Sequence, residues 1–323
     1  MVRWMANIRL FFSVDVHGNT ELWNKWMNAA EKYKTSVIIL AGDLTGKAII
    51  PIFDMKDHYE AEIRGKKRVA RGKEELEDLK RFIEGYGYYY VVLTPEEADE
   101  LAKDEAKVDV LFKQLISERM RKWLDILIQK VDLSSTMAIV MPGNDDEFYI
   151  DDIIREYEDR GILYPLDKVI ELEHGYQVVS LDYVNPTPWS TPREVPDKKL
   201  AKIIQEKMEM VTGDRSKVIF NFHPPPYNTK IDLAPKLDKN LRPVYIGGAP
   251  EMVHVGSTSV RKAIEEHQPI LGLHGHIHES SGVDKIGNTL VMNPGSEYSE
   301  GVLRAYLIEL DQDGIVDWWR IEG

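Results

Sequence analysis

The sequence predicts an α/β fold in which buried strands alternate with helices and antiparallel strands close the core. The first observation is a set of apolar runs of strand length, separated by stretches of helical character. Their hydrophobicity is nearly continuous rather than alternating, which is typical of strands buried on both faces of a sheet. These runs occupy residues 8–14, 37–41, 137–141, 178–181, 218–222 and 270–273.

The second observation is a pair of hairpin signals near the end of the chain. Ile286-Gly287-Asn288-Thr289 joins two short apolar runs, and Asp313-Gly314 separates residues 305–310 from residues 315–321. Glycine beside Asn or Asp is favoured in the tight turns that link neighbouring antiparallel strands. We therefore expect antiparallel strands at the C-terminal end of an otherwise α/β core.

The third observation is an interruption of the strand and helix rhythm between residues 47 and 131. Thr94-Pro95-Glu96-Glu97 combines the N-cap, the first-turn proline and the capping-box glutamate of a helix start. One helix from Pro95 to residue 130 would be very long, so we expect a break near residues 104–109. An earlier helix is predicted by the spacing of Leu76, Leu79, Phe82 and Ile83.

These observations predict a single domain over residues 1–323. Its core comprises residues 7–46 and 132–321, and residues 47–131 form a helical insert over that core. The apolar stripe within residues 111–128 is expected to form the insert's own core, with a dimer interface as the second choice. A homo-oligomer therefore remains open.

Composition narrows the possible functions. The chain contains no cysteine, so a metal would have to be held by His, Asp, Asn or Glu side chains. The net charge of -13 argues against a general nucleic-acid binder. No apolar run is long enough to span a membrane, and residues 1–7 lack a signal peptide's apolar core, so we expect a cytoplasmic protein.

Five polar motifs directly follow apolar runs. In open α/β sheets the loops at the C-terminal ends of strands gather at one edge, so these side chains are expected to converge. Imidazole and carboxylate groups are common ligands of divalent metals. Together the motifs predict a hydrolytic centre with two metal ions. They are Asp15-Val16-His17, Gly42-Asp43, Gly143-Asn144-Asp145-Asp146, Asn221-Phe222-His223-Pro224 and His274-Gly275-His276-Ile277-His278.

This ordered set resembles the calcineurin-like metallophosphoesterases, whose pattern runs D-x-H, G-D, G-N-H-[D/E], a lone His and G-H-x-H. The match spans residues 7–46 and 132–310 and lies closest to a prokaryotic branch of uncertain substrate. The resemblance implies a four-layer αββα sandwich of two mixed sheets. It also implies that Asp43 bridges two ions. The first ion would take Asp15, His17 and His278, and the second would take Asn144, His223 and His276.

The resemblance implies a metal-dependent phosphoesterase that acts on a small phosphorylated substrate, as a phosphodiesterase or a phosphomonoesterase. Two divalent ions about 3.5–4 Å apart activate a water for attack on phosphorus and stabilise the departing oxygen. Mixed carboxylate, amide and imidazole ligands suit Mn, Fe, Zn or Ni, without choosing among them. The implied catalytic residues are Asp43, Asn144 and Asp145.

The chain departs from the family at Asp145, where the pattern has a histidine that stabilises the transition state or protonates the leaving group. An ionised carboxylate does this poorly unless its surroundings raise its pKa. Asp146 is expected to orient a neighbouring ligand rather than bind metal. His274 is either a partner to the ligands or a strand-end residue with its own hydrogen bond.

Two further segments have alternative interpretations. Trp189 and Arg193 lie in a Pro-rich loop and would either contact a nucleotide-like substrate or pack on their own domain. Residues 64–73 carry six cations, as a solvated helix start or as an anion-recognising rim of the insert.

The sequence is also compatible with two alternative functions. The first is a non-catalytic metal-binding scaffold that lost activity with the missing histidine. The second is a nuclease of the same superfamily, which the acidic charge disfavours.

Overall fold

The computed structural model describes residues 7–323. The first residues of the chain, on which the expectation about a signal peptide depends, lie outside the described residues.

Twenty strands and seven α-helices are assigned within the described part. The strands are β1 (Ile8–Ser13), β2 (Val37–Ala41), β3 (Ile49–Asp54), β4 (Tyr59–Ile63), β5 (Lys66–Ala70), β6 (Tyr89–Leu93), β7 (Met137–Met141), β8 (Ile162–Leu163), β9 (Ile170–Glu171), β10 (Gln177–Leu181), β11 (Val218–Phe222), β12 (Leu233–Pro235), β13 (Tyr245–Ile246), β14 (Ala249–Pro250), β15 (Met252–His254), β16 (Leu271–Leu273), β17 (Gly282–Ile286), β18 (Thr289–Asn293), β19 (Arg304–Leu310) and β20 (Ile315–Glu322). The helices are α1 (Thr20–Tyr33), α2 (Gly72–Glu84), α3 (Pro95–Ala102), α4 (Glu105–Lys130), α5 (Tyr149–Arg155), α6 (Asp197–Glu209) and α7 (Thr258–His267).

Two six-stranded mixed sheets form the centre of the molecule. The first has the order β20-β19-β1-β2-β7-β8, with parallel pairing from β1 to β8 and antiparallel pairing at β19 and β20. The second has the order β17-β18-β16-β11-β10-β9, with parallel inner strands and antiparallel edges. All six predicted strands and both predicted hairpins are present, and the α/β fold class is confirmed.

The sheets pack face to face and carry helices on their outer faces. Apolar side chains of β1, β2 and β7 meet those of β10, β11 and β16 in a core between the sheets. A second core joins α1, α4 and α5 to the first sheet, and a third joins α6 and α7 to the second. This arrangement is the expected four-layer sandwich, built by burying both faces of each sheet.

The segment that precedes α4 contains the expected helices and also a sheet that the sequence analysis missed. Thr94 and Glu97 form the predicted capping box of α3, and Asp104 caps α4 after the predicted break. Strands β5-β4-β3-β6 form a four-stranded sheet beside α2, so the insert is not wholly helical. Pro51 interrupts the apolar run of β3 and β5 is mostly charged, so neither shows the continuous apolar pattern of a strand buried on both faces.

Most of the basic segment is a hairpin strand, and only its last residues, from the N-cap Arg71, begin a helix. Arg64 and Gly65 adopt φ of 51° and 72° and reverse the chain between β4 and β5. The cations of β5 then lie exposed along the edge of the small sheet. Charged side chains on an edge strand discourage pairing with other chains.

The apolar stripe of α4 packs on the main core, so the expectation that it forms the insert's own core is wrong. Trp123 stacks on Trp23 of α1 with ring centroids 4.8 Å apart. Met120, Leu124 and Leu127 are buried in the same cluster as the first sheet. Within residues 7–323, no helix is long and apolar enough to cross a membrane.

Candidate metal centre

Loops from both sheets bring the predicted ligands together at the C-terminal ends of five strands. The side chains form two groups, and within each group the ligand atoms lie within 4.8 Å of one another. Asp43 belongs to both groups. The first group is Asp15, His17, Asp43 and His278, and the second is Asp43, His223 and His276.

Asp43 lies between the two groups with one carboxylate oxygen facing each. Its Oδ2 is 3.7 Å from Nε2 of His17, and its Oδ1 is 3.5 Å from Nε2 of His223. Within the first group, Nε2 of His17 and Nε2 of His278 are 3.1 Å apart. Asn144 joins the second group, since its Oδ1 lies 3.0 Å from Nε2 of His223. A carboxylate in this position could be shared by cations held in the two groups.

Asp15 provides a test of whether a cation fits. Its Oδ2 accepts a hydrogen bond of 3.0 Å from the backbone N–H of His276. Its Oδ1 is buried and has no hydrogen-bond partner among the described residues. It lies 3.7 Å from Nε2 of His223. A buried carboxylate oxygen without a donor is costly, and a divalent cation would satisfy it. The donor set therefore fits metal ions.

Four of the seven predicted ligands have left-handed backbone conformations. The φ angles of Asp15, His17, Asp43 and His276 are 54°, 42°, 47° and 69°. Residues other than glycine rarely adopt this region, and strain of this kind collects at functional sites. The loops hold one another in place, because Asp15 N donates to Gly42 O and His17 N donates to Asp43 O.

Two glycines allow the loops to approach closely. A Cβ on Gly42 would lie 2.0 Å from Nδ1 of His223, and φ at Gly42 is +96°. A Cβ on Gly143 would lie 2.4 Å from Oδ1 of Asp43. The glycines that precede Asp43 and Asn144 therefore leave room for ligands from the neighbouring loops.

Burial keeps most of the histidines neutral, as coordination requires. It lowers the pKa of His276 to about 3 and also lowers the pKa of His17 and His278. Burial would lower the pKa of His223 as well, but the Asp43 carboxylate outweighs it and raises that pKa to about 9. Burial raises the pKa of Asp15 to about 8. Without metal, the site therefore holds protons that a cation would displace.

Asp146 and His274 organise the ligand loops from behind. Buried Asp146 accepts hydrogen bonds from the backbone N–H groups of Leu44, Thr45 and Gly143. His274 places Nδ1 2.9 Å from Phe222 O and 3.0 Å from Pro224 O, on either side of His223. Burial lowers the pKa of His274 to about 4. His274 lies outside both ligand groups, follows the end of β16, and bonds to the backbone on both sides of His223.

Asp145 lies beside the centre and contacts a residue that the sequence analysis missed. Its Oδ2 forms an ion pair with Nζ of Lys47 and lies 3.8 Å from Nδ1 of His17. Burial and the neighbouring Asp43 raise the pKa of Asp145 to about 6. Lys47 belongs to none of the five motifs. Its position four residues after Asp43 was the only sequence feature that associated it with the site.

Tyr298 is a second residue that the sequence analysis missed. Its ring lies 4.5 Å from the ring of His17 and 5.8 Å from the ring of His278, measured between centroids. It comes from the turn before β19, outside all five motifs, and no sequence signal marked it.

The two predicted substrate residues have different positions. Arg193 is 1% exposed, and its guanidinium pairs with Asp151 and Asp182. It also donates to the carbonyl oxygens of Asp146 and Glu147. Four of the five guanidinium N–H groups thus bond within the fold, which favours packing on its own domain over a substrate contact for Arg193. Trp189 is 63% exposed, and its role stays a prediction.

Comparison with known proteins gives one sequence relative and a shared fold. No protein-family model matches the chain. The uncharacterized protein MJ1162 of Methanocaldococcus jannaschii is 31% identical over 176 residues, which is 54% of this chain and 71% of that protein.

Two crystal structures align with almost the whole chain. One superposes with a TM-score of 0.56, 15% identity and coverage of 98% of this chain and 99% of the other. The second, TT1561 of Thermus thermophilus, has a TM-score of 0.52, 15% identity and the same coverage. At this identity the likeness shows the fold alone.

Proposed function

This chain belongs to the family of the uncharacterized protein MJ1162 and has the fold and motif order of the calcineurin-like metallophosphoesterases, and we propose that it is a metal-dependent phosphoesterase. Its substrate is a small phosphorylated molecule, and the reaction is hydrolysis of a phosphoric ester bond. The observation that carries the proposal is the position of Asp43, whose two oxygens face two separate histidine groups.

The ligand roles follow the two groups. Asp15, His17 and His278 would hold one divalent ion, and Asn144, His223 and His276 would hold the other. When bound, the ions supply positive charge that acidifies water and stabilises the departing oxygen. A shared Asp43 carboxylate would reduce the repulsion between the two cations. The amide of Asn144 adds a ligand without adding negative charge, which would repel a phosphate.

The remaining residues keep the ligands in place. Asp146 fixes the loops that carry Asp43 and Asn144, and His274 fixes the backbone around His223. Loops held by buried hydrogen bonds position ligands before a substrate arrives, which lowers the cost of reaching the reactive geometry.

The test is Mn-dependent hydrolysis of mono- and bis-aryl phosphate esters by the purified protein, together with elemental analysis. Asp43→Ala removes the shared ligand, so we expect loss of bound metal and at least a hundredfold loss of hydrolysis. Asp99→Ala removes an exposed carboxylate of α3 and serves as the matched control. If the wild type shows no hydrolysis above Asp43→Ala while it retains metal, the scaffold alternative replaces the phosphoesterase.

A further inference from the structure

Lys47 is the first residue after the predicted core segment 7–46, and its ammonium group lies at the metal centre. Its Nζ pairs with Oδ2 of Asp145, whose backbone N–H donates to Oδ1 of Asp43. The Lys47 side chain is 54% exposed, whereas that of Asp145 is 16% exposed. The lysine side chain is therefore partly open to solvent, whereas its partner carboxylate is mostly covered.

The backbone that leads to Lys47 is fixed from two sides. Thr45 is tied to buried Asp146 through both its N–H and its hydroxyl group. Gly46 N donates to the hydroxyl of Tyr89 on β6, and a Cβ on Gly46 would lie 1.9 Å from Gly87 O. The insert thus packs directly against the residue that precedes Lys47, and the backbone position of Lys47 depends on the insert.

Lys47 also changes the charge at the mouth of the centre. Asp145 places a carboxylate where the family pattern has histidine, close to Asp15 and Asp43. Among the described residues, Lys47 is the only Lys or Arg that pairs with any of these three carboxylates. Its positive charge offsets the negative charge of the Asp145 carboxylate, which would otherwise repel an entering phosphate.

We propose that Lys47 is a specificity-determining residue that binds the non-bridging oxygens of a terminal phosphate, so that the preferred substrates are phosphomonoesters. This inference rests on the proposed function. A phosphomonoester carries close to two negative charges above its second pKa of about 6, whereas a phosphodiester carries one. The Lys47 ammonium group neutralises the Asp145 carboxylate, which would repel a dianion more strongly than a monoanion, so Lys47 favours the dianion. Asp145 acts as a positioning residue that holds the ammonium group.

Binding measurements test this role independently of turnover. Inorganic phosphate, largely a dianion at pH 8, and dimethyl phosphate, a monoanion, are titrated calorimetrically into Mn-loaded protein. Lys47→Met keeps the length of the side chain but removes its charge, so we expect phosphate to bind at least tenfold more weakly. Dimethyl phosphate should bind within about threefold of the wild type. Lys47→Arg, which retains the charge, should bind phosphate within about threefold of the wild type.

Lys103→Met is the matched control, because Lys103 is an exposed cation of the same insert that also pairs with a carboxylate, that of Glu100. It should leave both affinities unchanged, and all variants are compared at equal metal content and melting temperature. An equal loss for both ligands, or no loss for phosphate, overturns the role of Lys47. Lys47-dependent phosphate binding without any ester hydrolysis by the wild type would instead overturn the phosphoesterase proposal alone.

Discussion

At the scale of single residues, the candidate metal centre depends on backbone conformations that most side chains avoid. Asp15, His17, Asp43 and His276 all have positive φ, and each such residue costs on the order of 1–3 kcal/mol. The surrounding hydrogen bonds compensate for this strain, since the loops of β1 and β2 bond to each other and Asp146 anchors the second loop. The backbone conformations that place the ligands therefore reduce the local stability of these loops.

Gly42→Ala tests how closely that placement is controlled. The added Cβ would meet the ring of His223 at 2.0 Å, so we expect the ring to move away from Asn144 and Asp43. Elemental analysis after dialysis should show metal content falling from about two ions towards one per chain, with at least tenfold slower ester hydrolysis.

Gly65→Ala is the control for this substitution. Gly65 also has positive φ, +72°, but no atom lies within 4 Å of the point that an added Cβ would occupy. The Gly65→Ala variant has the conformational strain without a steric clash, so it should retain both metals and activity. Full metal content in Gly42→Ala would show that the His223 ring can relax without losing its ligand role.

At the scale of elements, Arg193 joins three parts of the fold. Its guanidinium connects the strand end at Asp182 with Asp151 of α5, and its backbone N–H donates to Asn144 O. Removing one partner of a buried ion pair leaves uncompensated buried charge, which typically costs 3–5 kcal/mol. Arg193 therefore contributes to stability and to the position of the Asn144 loop.

Arg193→Met is expected to lower the free energy of unfolding by about 3–5 kcal/mol in urea titrations. The matched control is Arg155→Met, since Arg155 pairs with Asp152 and Asp167 at the surface. Exposed pairs contribute about 1 kcal/mol or less, so the control should remain close to the wild type. Unchanged stability of Arg193→Met with a raised KM would restore the substrate role that its burial argues against.

At the scale of the whole molecule, metal binding and folding should be coupled, because loops from both central sheets supply the ligands. An ion that binds only the folded chain stabilises it, by about 4 kcal/mol at a concentration a thousandfold above Kd. We expect Mn to raise the melting temperature of the wild type, and we expect a chelator to abolish that rise.

The increase in melting temperature caused by Mn should itself become larger as the pH rises. In the absence of metal, His223 and Asp15 hold protons because their pKa values are raised to about 9 and about 8. Metal binding releases these protons, so the affinity for Mn and the increase in melting temperature should grow from pH 6 to pH 8. Asp43→Ala, scanned at each pH with and without Mn, should show no such increase. A constant shift across this range in the wild type would contradict the displacement of protons.

Much of the fold could be predicted because its signals are local. Buried strands leave continuous apolar runs, the capping box of Thr94 and Glu97 marks a helix start, and glycine turns mark the hairpins. The small insert sheet escaped prediction because its strands are only partly buried and carry a proline in β3 and several charges in β5. The packing of α4 on α1 escaped it because an apolar stripe does not specify its partner.

The order of motifs along the chain by itself determined the fold class and the set of candidate ligands, since carboxylates and imidazoles directly follow buried strands. Tertiary structure alone decided that the two oxygens of Asp43 face different histidine groups, that Arg193 is buried, and that Lys47 reaches Asp145. The physical reason is that these are distances between side chains from separate elements. Such distances are set by the packing of two sheets and an insert, and no local pattern of residues encodes them.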